Sequence, residues 1–407
     1  MSAADVLSET RVFDIVVVGG GLVGAATAIG AARLGYRVAV LDPTGCQAKK
    51  SGPLGSDVKS FDLRVSALTR ASQRLLDSLG CWEPVVPFIQ HYVQMDVWDA
   101  EGSGRIHFSA SEVFEDDLGC IVENSRVLSS LYSELVHTDN IEVIPASLES
   151  LQVNGSVSIV AEGHHITASL LIGADGALSR TRQLLSLPTR EWDYGQEAIV
   201  ATIQTEQSHE SVARQRFLQS GPLALLPLHD REGSDKYCSI VWSVDQERCR
   251  ELYDLDDDSF KEQLAQASEW VLGKVVNIGP RAKFPLIQRH AKHYIASNSL
   301  LVGDAAHTIH PLAGQGVNLG FQDVRVLLEE LERAKSRRLK PGETEVLKRY
   351  QRRRQPENLA MMAAMESFKR GFTSTNPVVS WLRNEGMNRV NALLPVKKAI
   401  IRQAMGL

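Results

Sequence analysis

A glycine-rich stretch near the start of the chain places the strongest limit on its fold. Residues 14–24 read DIVVVGGGLVG, so a short valine-rich run enters a GxGxxG pattern formed by Gly19, Gly21 and Gly24. Alanine-rich sequence follows, and residues 36–41 read YRVAVL before an acidic residue. This order of strand, glycine turn, helix, strand and acid predicts a βαβ unit of the Rossmann type.

The βαβ unit predicts a site for a dinucleotide. Gly19 and Gly21 allow a tight turn and a close approach of the backbone to a pyrophosphate, while Gly24 allows the helix to pack closely on the strand. The helix N-terminus supplies partial positive charge, and Asp42 is placed to accept hydrogen bonds from ribose hydroxyls. NAD and FAD both fit this motif, so a NAD-dependent dehydrogenase is one interpretation of it.

Two later stretches repeat the pattern of an apolar strand that ends in a glycine turn. Residues 170–176 read LLIGADG, in which Asp175 serves either a structural turn or the dinucleotide site. Residues 299–304 read SLLVGD, and this third predicted strand ends in Gly303 and Asp304. Asp304 is placed to hold a sugar or ribityl hydroxyl.

A second helix N-terminus follows the third strand. Residues 303–320 read GDAAHTIHPLAGQGVNLG. Pro311 prevents a helix from continuing, and Gly314 and Gly316 free the backbone to present amide groups just before a predicted helix at 317–333. The stretch therefore predicts a second helix start directed at an anion.

The two histidines of this stretch do not form a convincing metal site or catalytic dyad. Pro311 prevents His307 and His310 from sharing one face of a helix. No neighbouring carboxylate cluster completes a ligand set, so we predict no metal. No serine or cysteine lies in a nucleophile elbow. We interpret both histidines as packing or hydrogen-bonding residues, with His310 a candidate to face a substrate.

Charge is distributed unevenly along the 407 residues. The net charge is −5, yet residues 331–407 hold 17 Lys and Arg against 6 Asp and Glu. The acidic remainder argues against nucleic-acid binding, and the basic region is either a solvated helical surface or a contact for an anionic membrane or a protein complex. The start of the chain lacks the features of a signal peptide, and the five cysteines form no CxxC pair, so we expect a cytoplasmic protein with no membrane-spanning segment.

The three motifs together resemble those of the class A flavoprotein aromatic hydroxylases, over nearly the whole chain. Several further stretches narrow the resemblance to the ubiquinone-biosynthesis hydroxylases, and within them to the enzymes of the ring C5 step. These stretches are LRVSAL at 63–68, VWD at 97–99, IVEN at 121–124, WDY at 192–194, IVATI at 199–203, CSIVWS at 238–243 and IRQAMGL at 401–407.

The resemblance implies an α/β protein with a Rossmann-like FAD-binding domain, an inserted β-sheet substrate domain and a helical C-terminal region. The FAD-binding domain is expected to be discontinuous. The implied boundaries are 1–80, 120–187 and 288–336 for the FAD-binding domain, 81–119 and 188–287 for the substrate domain, and 337–407 for the C-terminal region.

The resemblance also implies which residues hold FAD. The ADP half is expected at the first motif, the pyrophosphate and ribityl chain at the second and third, and the isoalloxazine ring at the second helix start. Pro311, Val317 and Asn318 are expected to position the flavin through the backbone, with no catalytic side chain assigned. The implied cofactor-binding set is Gly19, Gly21, Gly24, Asp42, Arg64, Asp175, Gly303, Asp304, Gly314, Gly316, Val317 and Asn318.

The implied reaction is hydroxylation of the ring of a lipophilic polyprenylphenol through a flavin C4a-hydroperoxide, with molecular oxygen as co-substrate and NAD(P)H or another electron donor. Leu225, Pro227, Trp242 and His310 are candidate substrate contacts. The basic C-terminal region implies peripheral contact with the inner face of a membrane or with a ubiquinone-biosynthesis complex. Three alternatives remain: another ring position, another phenol, and an FAD-stabilised scaffold subunit. A halogenase would need a WxWxI motif, which the chain lacks.

Overall fold

The structure is a computed structural model that describes residues 10–47, 55–309, 316–373 and 376–406. Twenty strands lie within these residues: β1 (Arg11–Val18), β2 (Val38–Leu41), β3 (Val65–Leu68), β4 (Gln90–Tyr92), β5 (Gln94–Asp99), β6 (Arg105–Ser109), β7 (Gly119–Glu123), β8 (Ile141–Ile144), β9 (Ser150–Val153), β10 (Val157–Ala161), β11 (His164–Gly173), β12 (Thr189–Thr205), β13 (Val212–Leu218), β14 (Gly221–Leu228), β15 (Tyr237–Asp245), β16 (Val275–Ile278), β17 (Ala282–Ala291), β18 (Ile295–Ala296), β19 (Ser299–Leu301) and β20 (His307–Thr308).

The same described residues form ten α-helices, and three of them lie beyond residue 340. The helices are α1 (Leu22–Arg33), α2 (Arg70–Ser78), α3 (Asn124–His137), α4 (Arg180–Leu184), α5 (Gln246–Asp254), α6 (Asp257–Ala267), α7 (Gly316–Ser336), α8 (Thr344–Thr373), α9 (Pro377–Ala392) and α10 (Leu394–Met405). No helix within the described residues is both long enough and apolar enough to cross a membrane.

The first sheet has the strand order β18-β19-β11-β1-β2-β8, and β9 and β10 extend it as an antiparallel meander from β11. Its central strands are parallel. Ile15 and Val17 of β1 face the core that includes Ile29 of α1, whereas Val16 packs in a separate cluster with Ile159 of β10. Both faces of β1 are covered, which explains its unbroken apolar sequence.

The second sheet has the order β20-β17-β12-β15-β14-β13-β5-β6, and β16 pairs with β12. Its outer face lies beneath α5 and α6, where Trp242 packs against Phe260 with a ring-centroid separation of 6.0 Å. Its inner face carries Leu226 in a cluster with Ala67 and Ile121 of the small β3-β7-β4 sheet. We call this the inner cluster; its buried members are Val58, Ala67, Tyr92, Ala110, Val113, Leu118, Ile121, Ala213, Ala224, Leu226, Leu228, Tyr237, Ile401 and Met405.

Helix α9 covers strand β6 at the edge of the second sheet. Asn388 accepts a hydrogen bond from the backbone N–H of Arg105 at 3.3 Å, and Asn391 accepts one from that of His107 at 3.1 Å. Asn384, one turn earlier on the helix, accepts from the N–H of Gly104. We call these three asparagines the asparagine ladder, since they occupy donors that an edge strand otherwise leaves open.

The fold confirms the predicted α/β class, with a Rossmann-like sheet, a second β-sheet and helices near the C-terminus. The predicted strand ends at the three glycine motifs coincide with the ends of β1, β11 and β19, and the predicted helix at 317–333 lies within α7. The predicted domain boundaries stay a prediction.

Candidate active site

The three glycine motifs lie side by side at the carboxyl ends of neighbouring parallel strands. The backbone N–H of Ala174 donates to the carbonyl of Val18 at 2.8 Å, and that of Val302 donates to the carbonyl of Gly173 at 2.9 Å. Strands β1, β11 and β19 therefore end together at one edge of the first sheet. In open α/β sheets this edge is where ligands bind.

The glycines of the first motif divide into two that are crowded and one that is open. Gly19 has φ +99°, and a Cβ there would lie 2.5 Å from the carbonyl oxygen of Ala174. A Cβ at Gly24 would lie 1.9 Å from the carbonyl oxygen of Gly19. A Cβ at Gly21 meets nothing within 4 Å, so Gly21 borders free space at the start of α1.

Helix α1 also holds the third motif close to the first. A Cβ at Gly303 would lie 3.2 Å from the Val23 side chain, and one at Gly320 would lie 2.6 Å from it. A Cβ at Gly316, the first residue of α7, would meet no atom of the described residues within 4 Å. The N-termini of α1 and α7 therefore flank one region. A helix N-terminus carries partial positive charge and backbone amide groups that have no partner within the helix.

Asp42 ends the second strand next to the glycine turn, as predicted. Its carboxylate accepts hydrogen bonds from the backbone N–H of Gly20 at 2.7 Å and from that of Thr44 at 2.9 Å. The side chain is partly exposed. It is therefore held beside the first motif with room to reach a ribose.

Asp175 performs a structural task in this chain. Ser179 donates its hydroxyl to one carboxylate oxygen at 2.5 Å, and Thr181 donates its backbone N–H to the other at 2.8 Å. These bonds fix the start of α4, which favours the structural interpretation of the second motif. Arg182 in α4 then donates to the carbonyl of Ala305 at 2.8 Å and so ties the second motif to the third.

Asp304 and Arg64 lie on the side of the site that faces the second sheet. The Asp304 side chain is exposed, yet desolvation by the surrounding protein raises the pKa of its carboxyl, and the charges of His307 and Arg64 offset part of this rise. The guanidinium of Arg64 lies over the Phe284 ring, 5.3 Å from its centroid.

A buried charge network supports the turn that carries Asp304. Asp323 of α7 accepts from the backbone N–H of Gly303 at 2.9 Å and from Nε2 of His307 at 2.5 Å through one oxygen. Its other oxygen accepts from Nε of Arg354 at 2.7 Å and from the Asn358 amide at 3.3 Å. The side chains of Asp323 and Arg354 are 0% exposed.

Burial and charge act in opposite directions within this network. Burial alone would raise the pKa of Asp323, but the charges and hydrogen bonds of His307 and Arg354 outweigh it and lower the pKa to about 2. Burial and the neighbouring charges of His307 and Arg190 lower the pKa of His290 to about 4. Asp323 is therefore an anion and His290 is neutral at pH 7.

Sequence reasoning missed this network. Arg354 belongs to the basic region at 331–407, for which a solvated helical surface was one interpretation; for this residue that interpretation is wrong, because the side chain is fully buried against Asp323. One signal was available in the sequence: Asp323 lies between Phe321 and Val324 on the apolar side of a helix, where a lone acid indicates a buried partner.

Asn318 anchors the start of α7 with its side chain. Its amide oxygen accepts from the Ser72 hydroxyl at 2.7 Å and from the Thr69 backbone N–H at 3.0 Å, and its amide nitrogen donates to the carbonyl of Ala67 at 2.7 Å. Val317 is partly buried against the core of the first sheet. The backbone of both residues therefore has a fixed position at the start of α7.

The predicted substrate contacts on the second sheet lie in its outer core. Leu225 and Trp242 pack in the outer core beneath α5 and α6, and the strand register pairs Pro227 with Cys238 of that same core. The neighbouring residues Ala224 and Leu226 belong to the inner cluster instead. Strand β14 is apolar on both faces, so its sequence does not reveal which side chains face the small sheet. Their contact with a substrate stays a prediction.

Three predicted site residues lie outside the described residues: His310, Pro311 and Gly314. Among the side chains that the structure does describe, no group of three or more His, Cys, Asp or Glu is arranged to hold a metal ion.

Comparison with known proteins identifies the family. A family model described as an FAD binding domain matches residues 120–365, and one described as an FAD dependent oxidoreductase matches residues 14–81. The 3-demethoxyubiquinol 3-hydroxylase of Escherichia coli (strain K12) is 35% identical over 97% of this chain and 98% of its own. The chain belongs to the FAD-dependent ubiquinone-biosynthesis hydroxylase family.

Other members of this hydroxylase family match to a similar extent. Ubiquinone hydroxylase UbiL of Rhodospirillum rubrum is 33% identical over 98% of this chain and 91% of its own. The mitochondrial ubiquinone biosynthesis monooxygenase COQ6 of Homo sapiens is 33% identical over 97% of this chain and 92% of its own. The hydroxylase described here is an FAD-dependent aromatic-ring monooxygenase.

Solved structures support the fold of the hydroxylase. A probable FAD-dependent monooxygenase, pqsL from Pseudomonas aeruginosa, has a TM-score of 0.74 at 20% identity, covering 93% of this chain and 100% of that one. The p-nitrophenol 4-monooxygenase PnpA from Pseudomonas putida DLL-E4 has a TM-score of 0.75 at 18% identity, covering 97% and 99%.

The residues present in the hydroxylase fit FAD. Among the described residues, nothing lies within 4 Å of a Cβ built at Gly21 or at Gly316, as the approach of a pyrophosphate and of a flavin edge to the two helix starts would require. The crowded Gly19 and Gly24 hold the intervening backbone in place. The contacts of the individual residues with FAD stay a prediction.

Proposed function

We propose that this hydroxylase adds a hydroxyl group to the aromatic ring of a polyprenylphenol intermediate in ubiquinone biosynthesis, at ring C5. The observation that carries the proposal is the position of the inner cluster. Asn318, at the start of α7, donates to the carbonyl of Ala67, and Ala67 belongs to the same apolar cluster as Leu226. An apolar wall next to the flavin site suits a ring with a long hydrocarbon substituent.

The proposed FAD site follows the edge of the first sheet. Gly21 and the start of α1 would receive the pyrophosphate, and Asp42 would accept from the ribose. Asp304 would accept from the ribityl chain, and the backbone at Val317 and Asn318 would meet the pyrimidine edge of the flavin. We retain Arg64, Asp175, Gly303, Gly314 and Gly316 in the site, with Asp175 acting through the position of α4.

Bound FAD would supply electron transfer and the activation of molecular oxygen, with NAD(P)H as the proposed electron donor. The chain itself would orient the ring and exclude water from it. The positive partial charge at the start of α7 would favour the negative charge of a reduced flavin bound there. Arg64 adds a full positive charge close to Asp304.

The ring position that is hydroxylated is the most specific part of the proposal. The C5 assignment is supported by sequence stretches such as LRVSAL at 63–68 and IVATI at 199–203. The Escherichia coli relative named above is a 3-demethoxyubiquinol 3-hydroxylase, so another ring position is the competing assignment.

The test is a turnover assay with the purified FAD-loaded enzyme, NAD(P)H, oxygen and a set of prenylated phenols that differ in the open ring position. We expect substrate-dependent NAD(P)H oxidation and a product with one additional oxygen at C5. A product hydroxylated at another position would reassign the step. FAD binding without turnover of any phenol would contradict the hydroxylase function and favour the scaffold alternative.

A further inference from the structure

We propose that the side-chain amide of Gln215 binds the ring hydroxyl of the substrate and thereby selects phenols over prenylated rings without that group. Gln215 lies in the middle of β13, in the second sheet. The inference rests on the proposed function and deepens it, because it names a residue that recognises the polar end of a polyprenylphenol.

Gln215 projects from the inner face of the second sheet. It pairs directly with Ala224 of β14 in an antiparallel ladder, and directly opposite residues of such a ladder project to the same face. Ala224 belongs to the inner cluster, and so does Ala213, which lies two residues before Gln215 on β13. Residues two apart on a strand share a face, so both neighbours place the glutamine on the side of the inner cluster.

The side chain of Gln215 is buried without a protein partner. It is 4% exposed, and its amide makes no hydrogen bond with any of the described residues. Three other glutamines among the described residues are similarly buried, and each of them makes a side-chain hydrogen bond; they are Gln73, Gln196 and Gln288. A buried amide without a partner is costly and rare in native proteins. The unpaired amide of Gln215 therefore indicates a ligand that supplies its partner.

Apolar side chains flank Gln215 on its other side as well. Val97 of β5 pairs with Gln215, and it packs in a cluster with Phe217, Phe372 and Met387. The rings of Phe217 and Phe372 are stacked, with their centroids 3.8 Å apart. Gln215 thus presents a polar group between two apolar clusters. Such an arrangement suits the polar end of an otherwise apolar molecule.

The inner cluster links Gln215 to the proposed position of the flavin. Ala67 belongs to this cluster together with Ala224, and the carbonyl of Ala67 accepts a hydrogen bond from Asn318 at the start of α7 at 2.7 Å. The Cβ atoms of directly opposite residues, such as Gln215 and Ala224, are about 5 Å apart. A ring that packs on the inner cluster beside α7 would therefore have its hydroxyl within reach of the Gln215 amide.

The hydrogen-bonding chemistry of a primary amide matches that of a phenol. The amide nitrogen donates and the amide oxygen accepts, while a phenolic hydroxyl does both. The amide is uncharged, so it can lie in an apolar wall without a counter-ion. A bound ring without the hydroxyl would leave the amide unpaired, and a site that hydrogen-bonds a substrate hydroxyl discriminates against the analogue that lacks it.

The experiment compares the binding of 2-geranylphenol and of geranylbenzene to the FAD-loaded enzyme, measured by the change in flavin absorbance. Gln215→Met replaces the amide by an apolar group of similar shape. We expect this variant to bind 2-geranylphenol roughly tenfold more weakly than the native enzyme does, which is the effect of one lost hydrogen bond, and to bind geranylbenzene no more weakly. The kcat/KM for 2-geranylphenol should fall by a similar factor.

The matched control is Gln263→Met on α6, outside the second sheet, where the native amide oxygen accepts a hydrogen bond from Arg248 at 2.7 Å. This variant should bind both probes as the native enzyme does. Because Gln215→Met removes an unpaired buried amide, the urea midpoint of its apoprotein should be equal to or higher than that of the native apoprotein. Gln215→Leu is a second variant without the amide, and FAD content equal to that of the native enzyme shows that each variant is folded.

Two results would overturn the inference and leave the hydroxylase function standing. One is binding of 2-geranylphenol by both Gln215 variants as tightly as by the native enzyme. The other is an equal loss of affinity for the two probes, which would assign Gln215 to the shape of the site instead of to the hydroxyl. A native enzyme that neither binds nor hydroxylates any prenylated phenol would contradict the proposed function itself, and the inference with it.

Discussion

Nε2 of His307 lies 2.5 Å from Oδ2 of Asp323, and this contact joins the turn that carries Asp304 to the middle of α7. The backbone N–H of Gly303 binds the same oxygen, and Arg354 of α8 binds the other. One buried carboxylate therefore sets the position of the third glycine motif relative to two helices.

Replacement of Asp323 by asparagine should destabilise the fold and weaken FAD binding. Asp323→Asn leaves the buried Arg354 with the exposed Glu357 as its remaining anionic partner, and the loss of a buried ion pair costs about 3–5 kcal/mol. The free energy of unfolding from urea titration and the FAD content are the two measurements. The control is Glu329→Gln, which removes an exposed partner of Arg325 and should cost less than about 1 kcal/mol. Equal losses in the two variants would contradict the role assigned to Asp323.

Stability should decrease in mild acid through His290. The pKa of His290 is lowered from 6.5 to about 4 in the folded protein, so the unfolded chain binds a proton first as the pH falls. The free energy of unfolding then decreases progressively between pH 6.5 and 4. The whole pKa difference of His290 between the unfolded and folded states corresponds to roughly 3 kcal/mol. His290→Gln should flatten the free energy of unfolding across this range. An unchanged pH profile in the variant would refute the prediction.

Stability should decrease again in stronger acid through Asp323. Its pKa is lowered from 3.8 to about 2 in the folded protein, so its contribution is complete above pH 4 and is lost as the pH falls towards 2. Urea titrations between pH 5 and 2 measure this step. Asp323→Asn should remove the step and leave the His290 step in place; a step that persists in this variant must come from another carboxyl group.

Two glycines of the first motif should respond differently to alanine. Gly21→Ala places a methyl group in free space at the start of α1, so the apoprotein should keep its stability while FAD affinity falls by about tenfold or more. Gly24→Ala places its methyl group against the Gly19 carbonyl and should destabilise the apoprotein itself. Thermal unfolding of the apoproteins and FAD titration distinguish the two effects. Tight FAD binding by Gly21→Ala would argue against a pyrophosphate at this position.

Asp304→Ala should lose FAD without loss of the fold, because the native side chain is exposed and the variant removes only the proposed ribityl acceptor. FAD content after purification is the measurement, and the melting temperature of the apoprotein is the control. Full FAD retention would remove Asp304 from the site.

Adjacent residues on β15 should separate substrate binding from stability. Val241 packs against the inner cluster, so Val241→Trp should raise the KM for a prenylated phenol by roughly tenfold with FAD content unchanged. Trp242 lies in the outer core, so Trp242→Phe should lower stability by about 1–3 kcal/mol and leave the KM unchanged. The reverse result would place the substrate on the other face of the sheet.

The sequence was informative wherever a strand ended in glycine. The ends of β1, β11 and β19 were predicted because an apolar run followed by a glycine turn is a local signal. Gly19 and Gly24 pack against neighbouring backbone so closely that a Cβ would not fit, which is why the motif needs glycine at these positions. The class and the family resemblance followed from these same stretches.

The features that the sequence did not predict depend on contacts between residues that are distant in the chain. Asp323 and Arg354 lie on different helices, so neither residue reveals its partner in the linear sequence. The inner and outer faces of β14 carry similar apolar side chains, which concealed the orientation of Leu225. Lys397 belongs to the basic region at 331–407, and its sequence context gives no sign that it is buried and paired with Glu112, which is 285 residues away.

The asparagine ladder has a practical consequence for any shortened form of this chain. Ending the chain near residue 373 would remove α9 and uncover the backbone donors of β6, at the margin of the second sheet. Free donors along a strand recruit strands from neighbouring molecules. Helix α9 thus protects this strand from pairing between molecules, and its removal should lower the solubility of the shortened protein.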